Sequence, residues 1–304
     1  MISRRRCSRR SWESDKSLIE FLSMPFFSYR LYGCKLWALL ACLSASLSAS
    51  AIAGSTLDRV NRTKILNDVV LDYYPPFGFI NDQNELAGFD VDVAHALAER
   101  LGLKLKLSTP GWEAVVAGGW RGRWDVCICS MSPTAQRTEV LSFPVQYYRS
   151  PAVLVVHKDE HRINSIADIS GKRVGVGIGS SYENYLNKAL VLPGEARPTY
   201  PFHDVTVIPG DETITFRNLA LGPAVRLDAV VSDLATAQAN IAATHALRIV
   251  GGYLFQEANM IATDKGDPEW DALIARTIRA MRSDGTLTKI SLRWFDTDIT
   301  WDEN

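Results

Sequence analysis

The amino-acid sequence predicts an α/β fold. After residue 54, strand-like apolar runs alternate with amphipathic helical patterns, and this alternation is typical of sheets flanked by helices. The chain has 304 residues, of which 47% are hydrophobic and 22% are charged, so it is long enough to bury one large core or two ordinary ones. This composition excludes disordered proteins, collagen-like repeats and small disulfide scaffolds.

In the first half, the helical pattern is clearest over residues 90–101. Val93, Leu97 and Leu101 recur at every fourth position, and Gly102 follows as a C-cap. The other elements predicted in this half are strands at 69–71, 103–107 and 125–129 and a helix at about 113–120.

The second half continues the alternation. Asp267 and Pro268 are typical of a helix start, and Asp284 and Gly285 end the same helix. Residues 192–210 are rich in proline and glycine and are predicted to form a surface loop. Strands are predicted at 152–157, 173–177, 228–231 and 260–262, with short helical segments near 166–168 and 234–243.

A secretory signal peptide is predicted at residues 1–53. This segment holds eight basic and three acidic residues, and a short apolar stretch at 36–47 is followed by an Ala-x-Ala cleavage site ending at Ala53. Met24 is an alternative start that would leave a signal of conventional length. Cys42 ends a lipobox-like sequence, but we favour cleavage after Ala53 and hence a soluble periplasmic protein over a lipid-anchored one.

The remaining chain is mildly acidic, with 25 basic and 31 acidic residues, and therefore has no basic footprint for nucleic acid. Two cysteines, Cys127 and Cys129, lie in it at strand spacing. We expect buried thiols there, because side chains two apart in a regular strand are poorly placed for a mutual disulfide. The cysteines and histidines show no metal-ligand spacing, so no metal and no cofactor is predicted.

The most informative motif is CSMSPTAQR at residues 129–137, which begins where a predicted strand ends. Open α/β sheets bind ligands at the carboxyl ends of their strands. Small hydroxyl side chains followed by Arg137 are the groups that bind a carboxylate. A serine-rich turn with a solvated arginine is the alternative interpretation.

Two further segments carry polar groups at strand ends. The turn GVGIGSSYE at 175–183 leaves a strand and opens a helix, which favours a small anion. It is neither a dinucleotide fingerprint nor a Walker A loop, because the third glycine and the Gly-Lys-Ser/Thr are missing. Asp233 follows the strand at 228–231 and is suited either to an ammonium group or to capping the next helix. With Arg137 it would recognise a zwitterion.

The order and spacing of these motifs resemble the periplasmic solute-binding proteins for polar amino acids that serve ABC importers, bacterial extracellular solute-binding family 3. The resemblance covers nearly all of residues 64–296. It is carried by YPPFGF (74–79), GFDVDVAHALAERLG (88–102), WDVCICSMSPTAQR (124–137), GKRVGVGIGSSYENYL (171–186), RLDAVVSD (226–233), KGDPEW (265–270) and DGTLTKISLRWF (284–295).

The resemblance implies the type 2 periplasmic binding-protein fold. Each of two lobes is then a sheet flanked by helices, and two crossover strands join the lobes. Lobe 1 is expected to comprise residues 54–150 and 260–304, and lobe 2 residues 151–259. The ligand is expected in the cleft, which closes on binding.

The resemblance also implies roles for individual residues. Tyr74 and Trp112 resemble the aromatic pair that sandwiches the ligand side chain, Arg137 the carboxylate clamp and Asp233 the acceptor of the α-ammonium. The residues implied to complete the site by backbone or hydroxyl contacts are Cys129, Ser130, Ser132, Ser180 and Ser181.

Two positions depart from the family pattern. Many relatives have serine or glycine in place of Cys129, and an acidic residue in place of Leu71. Asp72, the next residue, is placed to compensate for the second difference if the ligand is cationic.

The expected function is therefore binding, without catalysis, of an amino acid or similar zwitterion, with a permease and an ATPase of an ABC importer as partners and a monomeric state. A cyclohexadienyl dehydratase-like enzyme and a ligand sensor are the alternatives on the same fold. An enzyme would need a general acid and base in the cleft, for which Glu113, Asp72 and Asp233 are the candidates.

Overall fold

The computed structural model describes residues 55–301. The predicted signal peptide at 1–53, with Met24 and Cys42, lies outside the described residues. Within the described range, no helix is both long and apolar enough to cross a membrane.

The described chain alternates strands and helices, which confirms the predicted α/β class. The helices are α1 (Ser55–Thr63), α2 (Phe89–Leu101), α3 (Trp112–Val116), α4 (Ala135–Val140), α5 (Ser181–Leu186), α6 (Glu212–Ala220), α7 (Leu234–Thr244), α8 (Pro268–Ser283) and α9 (Thr286–Phe295), with a 3-10 turn at Ile166–Ile169. The strands are β1 (Ile65–Val69), β2 (Tyr73–Tyr74), β3 (Gly78–Ile80), β4 (Leu86–Ala87), β5 (Lys104–Ser108), β6 (Val126–Met131), β7 (Leu141–His157), β8 (Arg173–Gly177), β9 (Thr206–Gly210), β10 (Ala229–Asp233), β11 (Leu247–Val250) and β12 (Gln256–Asp264).

The main sheet has the strand order β5-β1-β6-β12-β7-β10-β8-β9, with β11 paired to β7. Strands β5, β1 and β6 are mutually parallel, and so are β9, β8 and β10. Helices cover both faces of such parallel strands, which is why β6 and β10 consist almost entirely of buried residues.

Strands β7 and β12 cross between the two parallel groups. Along 141–151, β7 pairs antiparallel with β12, and along 152–157 it pairs with β10 and β11. On its other side β12 pairs with β6. These two strands therefore link the halves of the molecule, which we call the lobes.

Each lobe has its own apolar core. In the first, Phe89, Leu97 and Trp270 pack with the buried side chains of β1 and β6. In the second, Val174 and Val231 pack with aromatic side chains that follow β8. The exact boundaries between the lobes, after residues 150 and 259, stay a prediction.

Three predicted elements are confirmed closely. Helix α2 ends at Leu101, and Gly102 adopts the left-handed conformation with φ 64°. Strand β8 covers the predicted residues 173–177. Helix α8 begins at Pro268, and the Asp267 side chain accepts a hydrogen bond from the Trp270 amide.

Other predictions were wrong in extent. The strand predicted at 69–71 lies earlier, at Ile65–Val69. The prediction missed its first residues because the polar Asn67 and Asp68 interrupt the apolar run in the sequence, although Asp68 is buried. The strand predicted at 152–157 is the end of the 17-residue β7. The helix predicted at 113–120 ends at Val116.

The predicted surface loop at 192–210 is also wrong in part. Its last residues form β9, which pairs parallel with β8. Leu192 and Phe202 are buried in the core of the second lobe. The proline and glycine content of the segment concealed an edge strand and two core side chains.

The cysteine prediction is corrected by the structure, which joins Cys127 and Cys129 in a disulfide. The expectation of free thiols assumed a regular strand, but β6 is irregular here. Met260 pairs with Met131 and Ala262 with Cys127, so β6 carries extra residues, and Ser130 has a positive φ of 54°. The Cα atoms of the two cysteines are 5.4 Å apart, within the usual range for disulfides.

We predict that this disulfide is present in protein purified from an oxidising compartment. Trypsin should release residues 124–137 between two arginines, and without reductant this peptide should be two hydrogen atoms lighter than the dithiol form and resist alkylation. If the protein is reduced first, alkylation should instead add two alkyl groups to the peptide. Alkylation of both thiols in denatured, unreduced protein, read by mass spectrometry, would contradict the pairing.

Candidate functional site

A cavity of about 200 Å³ lies where the parallel strands of both lobes end. Segments after β1, β6, β8 and β9 reach it, as expected for ligand sites at the carboxyl ends of strands. Its lining consists of Leu71, Tyr73, Tyr74, Trp112, Glu113, Ser130, Ser132, Arg137, Gly177, Ile178, Ser180, Ser181, Tyr182, Gly210, Asp211, Glu212 and Glu257.

The cavity brings together most of the residues predicted to bind ligand. The predicted residues on its wall are Tyr74, Trp112, Ser130, Ser132, Arg137, Ser180 and Ser181. The other two predicted residues, Cys129 and Asp233, are buried, and neither belongs to the lining formed by the described residues. Asp72 does not contribute to the wall either, whereas Leu71 does.

Arg137 is held rigidly at the cavity. It lies in α4, which is capped by the Thr134 hydroxyl, and the residue is only 7% exposed. Its Nη1 donates to the Ser132 carbonyl and its Nη2 to the Gly179 carbonyl, both at 2.9 Å. Burial lowers the pKa of the guanidinium to about 10, so it stays charged at neutral pH.

The same Gly179 carbonyl connects the two lobes. The Trp112 indole Nε1 also donates to it, at 3.2 Å, and the Arg137 guanidinium lies 5.0 Å from the centre of the Trp112 ring. Gly179 has φ +65°, and a β-carbon there would lie 3.1 Å from the Trp112 ring. A glycine is needed because the second lobe approaches the indole so closely.

Tyr74 forms a second contact across the cavity. It stacks on Phe77 with ring centres 5.4 Å apart, and its hydroxyl hydrogen-bonds that of Tyr182 in the second lobe. Burial raises the pKa of both phenols well above the usual value, so both remain neutral donors. Tyr182 was not among the predicted site residues.

A buried network fixes the end of β6. The Ser130 hydroxyl donates to Asp90 Oδ2 at 2.8 Å, and the Tyr147 hydroxyl donates to Asp90 Oδ1 at 2.7 Å. The Ser130 amide in turn donates to the Tyr147 hydroxyl at 2.8 Å. These bonds hold the strained Ser130 backbone in place at the cavity wall. Burial raises the pKa of Asp90 to about 8, with its hydrogen bonds opposing the shift.

The predicted anion turn at 175–183 is partly satisfied by the chain itself. The Gly179 amide donates to Glu183 Oε2 at 2.6 Å, and the Ser180 hydroxyl caps α5 by accepting from the Glu183 amide. Ser181 keeps its hydroxyl at the cavity, where it hydrogen-bonds Glu257.

Asp233 caps a helix, the alternative that its sequence position left open. Its Oδ1 accepts hydrogen bonds from the amides of Ala235 and Thr236 at the start of α7. The Ser150 hydroxyl also hydrogen-bonds the carboxylate, and burial nevertheless raises its pKa to about 6.

Two buried acids on the cavity wall were missed from the sequence. Glu212 accepts a short hydrogen bond from Ser232, and burial raises its pKa to about 7. Glu257 lies in β12, and burial raises its pKa too. The sequence signal for Glu257 was its spacing along β12. It lies two residues before Asn259 and four before Ile261, so it is on the same buried face of the strand as they are. An acid on a buried face indicates a specific role, because acids are rarely buried.

In the described part of the chain, no group of three or more histidine, cysteine, aspartate or glutamate side chains is arranged to hold a metal ion. Of the described residues on the cavity wall, Arg137 is the one with a cationic side chain, beside the acids Glu113, Asp211, Glu212 and Glu257. The site therefore presents a buried guanidinium, several carboxyls and four aromatic side chains with polar tips.

We predict that Asp90 makes folding stability fall as the pH rises. Its pKa is about 8 in the folded protein and ordinarily 3.8, so between these values the folded state binds more protons than the unfolded state. Asp90→Asn keeps the shape and should flatten the decline in unfolding free energy between pH 5 and 8 by up to about 1 kcal/mol per pH unit. Urea titrations at several pH values measure this slope. The matched control is the exposed Asp82→Asn, and identical slopes for wild type and D90N would refute the prediction.

Comparison with known proteins agrees with this architecture. The family model for bacterial extracellular solute-binding proteins, family 3, matches residues 67–297. The L-cystine-binding protein TcyJ of Escherichia coli K12 is 30% identical over 229 residues, which are 75% of this chain and 81% of that protein.

Solved structures also match. An ancestral arginine-binding protein bound to arginine has a TM-score of 0.67 and 31% identity, covering 76% of this chain and 98% of that one. The ancestral amino acid-binding protein AncCDT-1, described as a precursor of cyclohexadienyl dehydratase, has a TM-score of 0.69 and 26% identity, covering 79% and 100%. The two-lobed fold implied by the sequence resemblance is thereby confirmed, and the chain belongs to the bacterial extracellular solute-binding proteins, family 3.

Proposed function

We propose that this protein captures an amino acid in the cavity between its lobes and delivers it to an ABC importer. The observation that carries the proposal is the buried Arg137 guanidinium on the wall of a cavity sized for a small solute. A planar guanidinium pairs with a carboxylate through two parallel hydrogen bonds. The ligands in the names of its relatives, cystine and arginine, support an amino acid.

The predicted residues take the following roles in this proposal. Arg137 binds the α-carboxylate, and Tyr74 and Trp112 enclose the side chain. The hydroxyl-bearing residues that complete the hydrogen bonds are Ser130, Ser132, Ser180 and Ser181. Cys129 acts indirectly, by shaping the bulged strand that presents Ser130.

Ligand binding works through closure of the lobes. Trp112 and Arg137 from the first lobe already share the Gly179 carbonyl of the second. A ligand bound by groups of both lobes favours the closed form, because it makes its full set of contacts only there. The closed form is then recognised by a membrane permease whose ATPase drives import.

The predicted location and assembly follow from the same role. The predicted signal peptide at 1–53 would direct the protein to the periplasm, where it would act as a monomer. Cleavage after Ala53 would release a soluble carrier, whereas lipid attachment at Cys42 would tether it to the membrane.

One acid on the cavity wall would suit the enzyme alternative. Glu212 lies on the cavity wall with a pKa of about 7, which suits a general acid or base. However, its carboxylate is already committed to Ser232, and the chain's relatives include binding proteins for cystine and arginine. We therefore propose a binding protein and no catalytic step.

A ligand screen tests the proposed function. We expect isothermal titration calorimetry of the protein without residues 1–53, unfolded and refolded to remove carried ligand, to show one-to-one binding of at least one of the twenty standard amino acids or L-cystine. An intact fold by circular dichroism with no binding in this panel would refute the proposal. Turnover of prephenate or arogenate by the same preparation would favour the enzyme.

The role of Arg137 is tested by a conservative substitution. Arg137→Lys keeps the charge but loses the planar fork, so Kd for the bound amino acid should rise at least about 30-fold, equivalent to about 2 kcal/mol. The matched control is Arg293→Lys on the surface, where the arginine side chain is 70% exposed. If R137K binds within about threefold of wild type while R293K is unchanged, Arg137 is not the clamp.

A further inference from the structure

Negative charge outweighs positive charge on the cavity wall. Of the described residues there, four carry carboxyls and one, Arg137, carries a positive charge. Burial lowers the pKa of the Arg137 guanidinium, and the charge of Glu257 opposes this shift, so Glu257 is the acid near the guanidinium. The other three acids on the wall, Glu113, Asp211 and Glu212, have no basic side chain of the described wall to balance them.

These three acids gather beside the Tyr73 side chain, and we call them the acidic end of the cavity. Burial raises the pKa of the Tyr73 phenol to about 12. Four nearby carboxylates add to this rise, namely Asp211, Asp72, Glu113 and Glu212. Three of the four lie on the cavity wall, as Tyr73 itself does. A ligand group beside Tyr73 is therefore in a strongly negative field.

The acidic end adjoins the space proposed for the ligand side chain. Tyr73 precedes Tyr74 in the chain, and Glu113 follows Trp112. Tyr74 and Trp112 are the two aromatic residues proposed to enclose that side chain. A ligand held at its carboxylate by Arg137 therefore extends its side chain toward the acidic end.

The carboxyls of the acidic end come from both lobes. Glu113 lies in the first turn of α3, in the first lobe, whereas Asp211 and Glu212 lie at the start of α6, in the second. The hydroxyl of Thr213, also in α6, donates to the Tyr73 carbonyl of the first lobe at 3.4 Å. Closure of the lobes thus brings like charges together, which costs free energy unless a cation lies between them.

Glu212 is the most deeply buried of the three. The residue is 4% exposed and still forms part of the wall. The hydrogen bond from Ser232 engages Oε1 and fixes the carboxylate, while Oε2 has no hydrogen-bond partner among the described residues and retains accessible surface. A β-carbon on Gly177, another wall residue, would lie 2.8 Å from this Oε2, so the missing side chain leaves the oxygen open to the cavity. An unpartnered carboxylate oxygen in a buried site is costly, and a cationic ligand group would satisfy it.

Glu113 and Asp211 have more contact with solvent. Glu113 is exposed and Asp211 is half-buried. The Oδ1 of Asp211 accepts a hydrogen bond from the Ile214 amide and so caps α6. Because water and salt screen exposed charges, we expect each of these two acids to contribute less than Glu212.

From this arrangement we infer that the cavity selects an amino acid whose side chain carries a positive charge, a guanidinium or an ammonium, and that Glu212, assisted by Glu113 and Asp211, determines this selectivity. The inference rests on the proposed function. It divides the wall into Arg137, which binds the ligand carboxylate, and the acidic end, which reads the charge of the ligand side chain.

The test compares each cationic amino acid with a neutral analogue of nearly the same shape. The probes are L-arginine with L-citrulline, and L-lysine with 6-hydroxy-L-norleucine, measured by calorimetry on protein that was unfolded and refolded to remove carried ligand. For the tighter of the two cationic ligands, wild type should prefer the cation over its analogue at least about tenfold. Glu212→Gln keeps the shape and should reduce this preference to within about threefold, mostly by weakening the cationic ligand.

Two further variants complete the comparison. Glu113→Gln, at the exposed side of the acidic end, should reduce the preference about two- to fivefold. Glu99→Gln, on the exposed face of α2, is the matched control for charge removal and should behave as wild type. Circular dichroism and thermal melting establish that each variant is folded. Because E113Q removes an exposed carboxylate, it tests the acidic end even if E212Q does not fold.

Several outcomes overturn the inference. Tightest binding of an amino acid with a neutral or acidic side chain would show that the acidic end does not select charge. An unchanged preference in both E212Q and E113Q would show that other groups read the side chain. Equal weakening of a cation and its analogue in E212Q would show that Glu212 only supports closure. Absence of any amino-acid binding by wild type would refute the proposed function itself, whereas binding by wild type with any of these three results refutes the selectivity alone.

Discussion

The antiparallel pairing of β7 with β12 is the constraint on which the site depends. These two strands belong to both lobes, and their register places the end of each parallel group of strands at one cavity. Backbone pairing along 141–151 forms this link, with register shifts at Asn259/Met260 and Ile261/Thr263. Binding residues from distant parts of the chain, such as Arg137 and Ser181, therefore meet because of a sheet that neither of them belongs to.

Burial of charge is the second feature of the site. Desolvation raises the pKa of Glu212, Glu257 and Asp233, and it lowers that of Arg137. Each group is held by hydrogen bonds that keep it oriented, so little reorganisation is needed when a ligand arrives. Charged groups that have already lost their water interact strongly with a ligand of matching charge.

The sequence allowed the fold class and most of the cavity wall to be predicted, because both depend on local patterns. Helix α2 follows from apolar spacing and Gly102, and Arg137 follows from its place after a strand and a serine-rich turn. The disulfide could not be predicted, since the strand irregularity at Ser130 arises from the pairing of β6 with β12. Strand β9 was missed because its partner β8, which stabilises it, lies more than thirty residues away.

Asp233 and Glu257 show which features depend on the local sequence and which depend on three-dimensional packing. Asp233 at a strand end was open to two interpretations, and its amide partners in α7 show that it caps a helix. Glu257 has no local motif, and its position beside Arg137 results from the strand that carries it across the molecule. Periodicity and caps are encoded within a few residues, so the chain alone specified helix α2, the start of α8, its family resemblance and Arg137. Which carboxylate faces the cavity depends on long-range pairing, and that was settled by the folded structure.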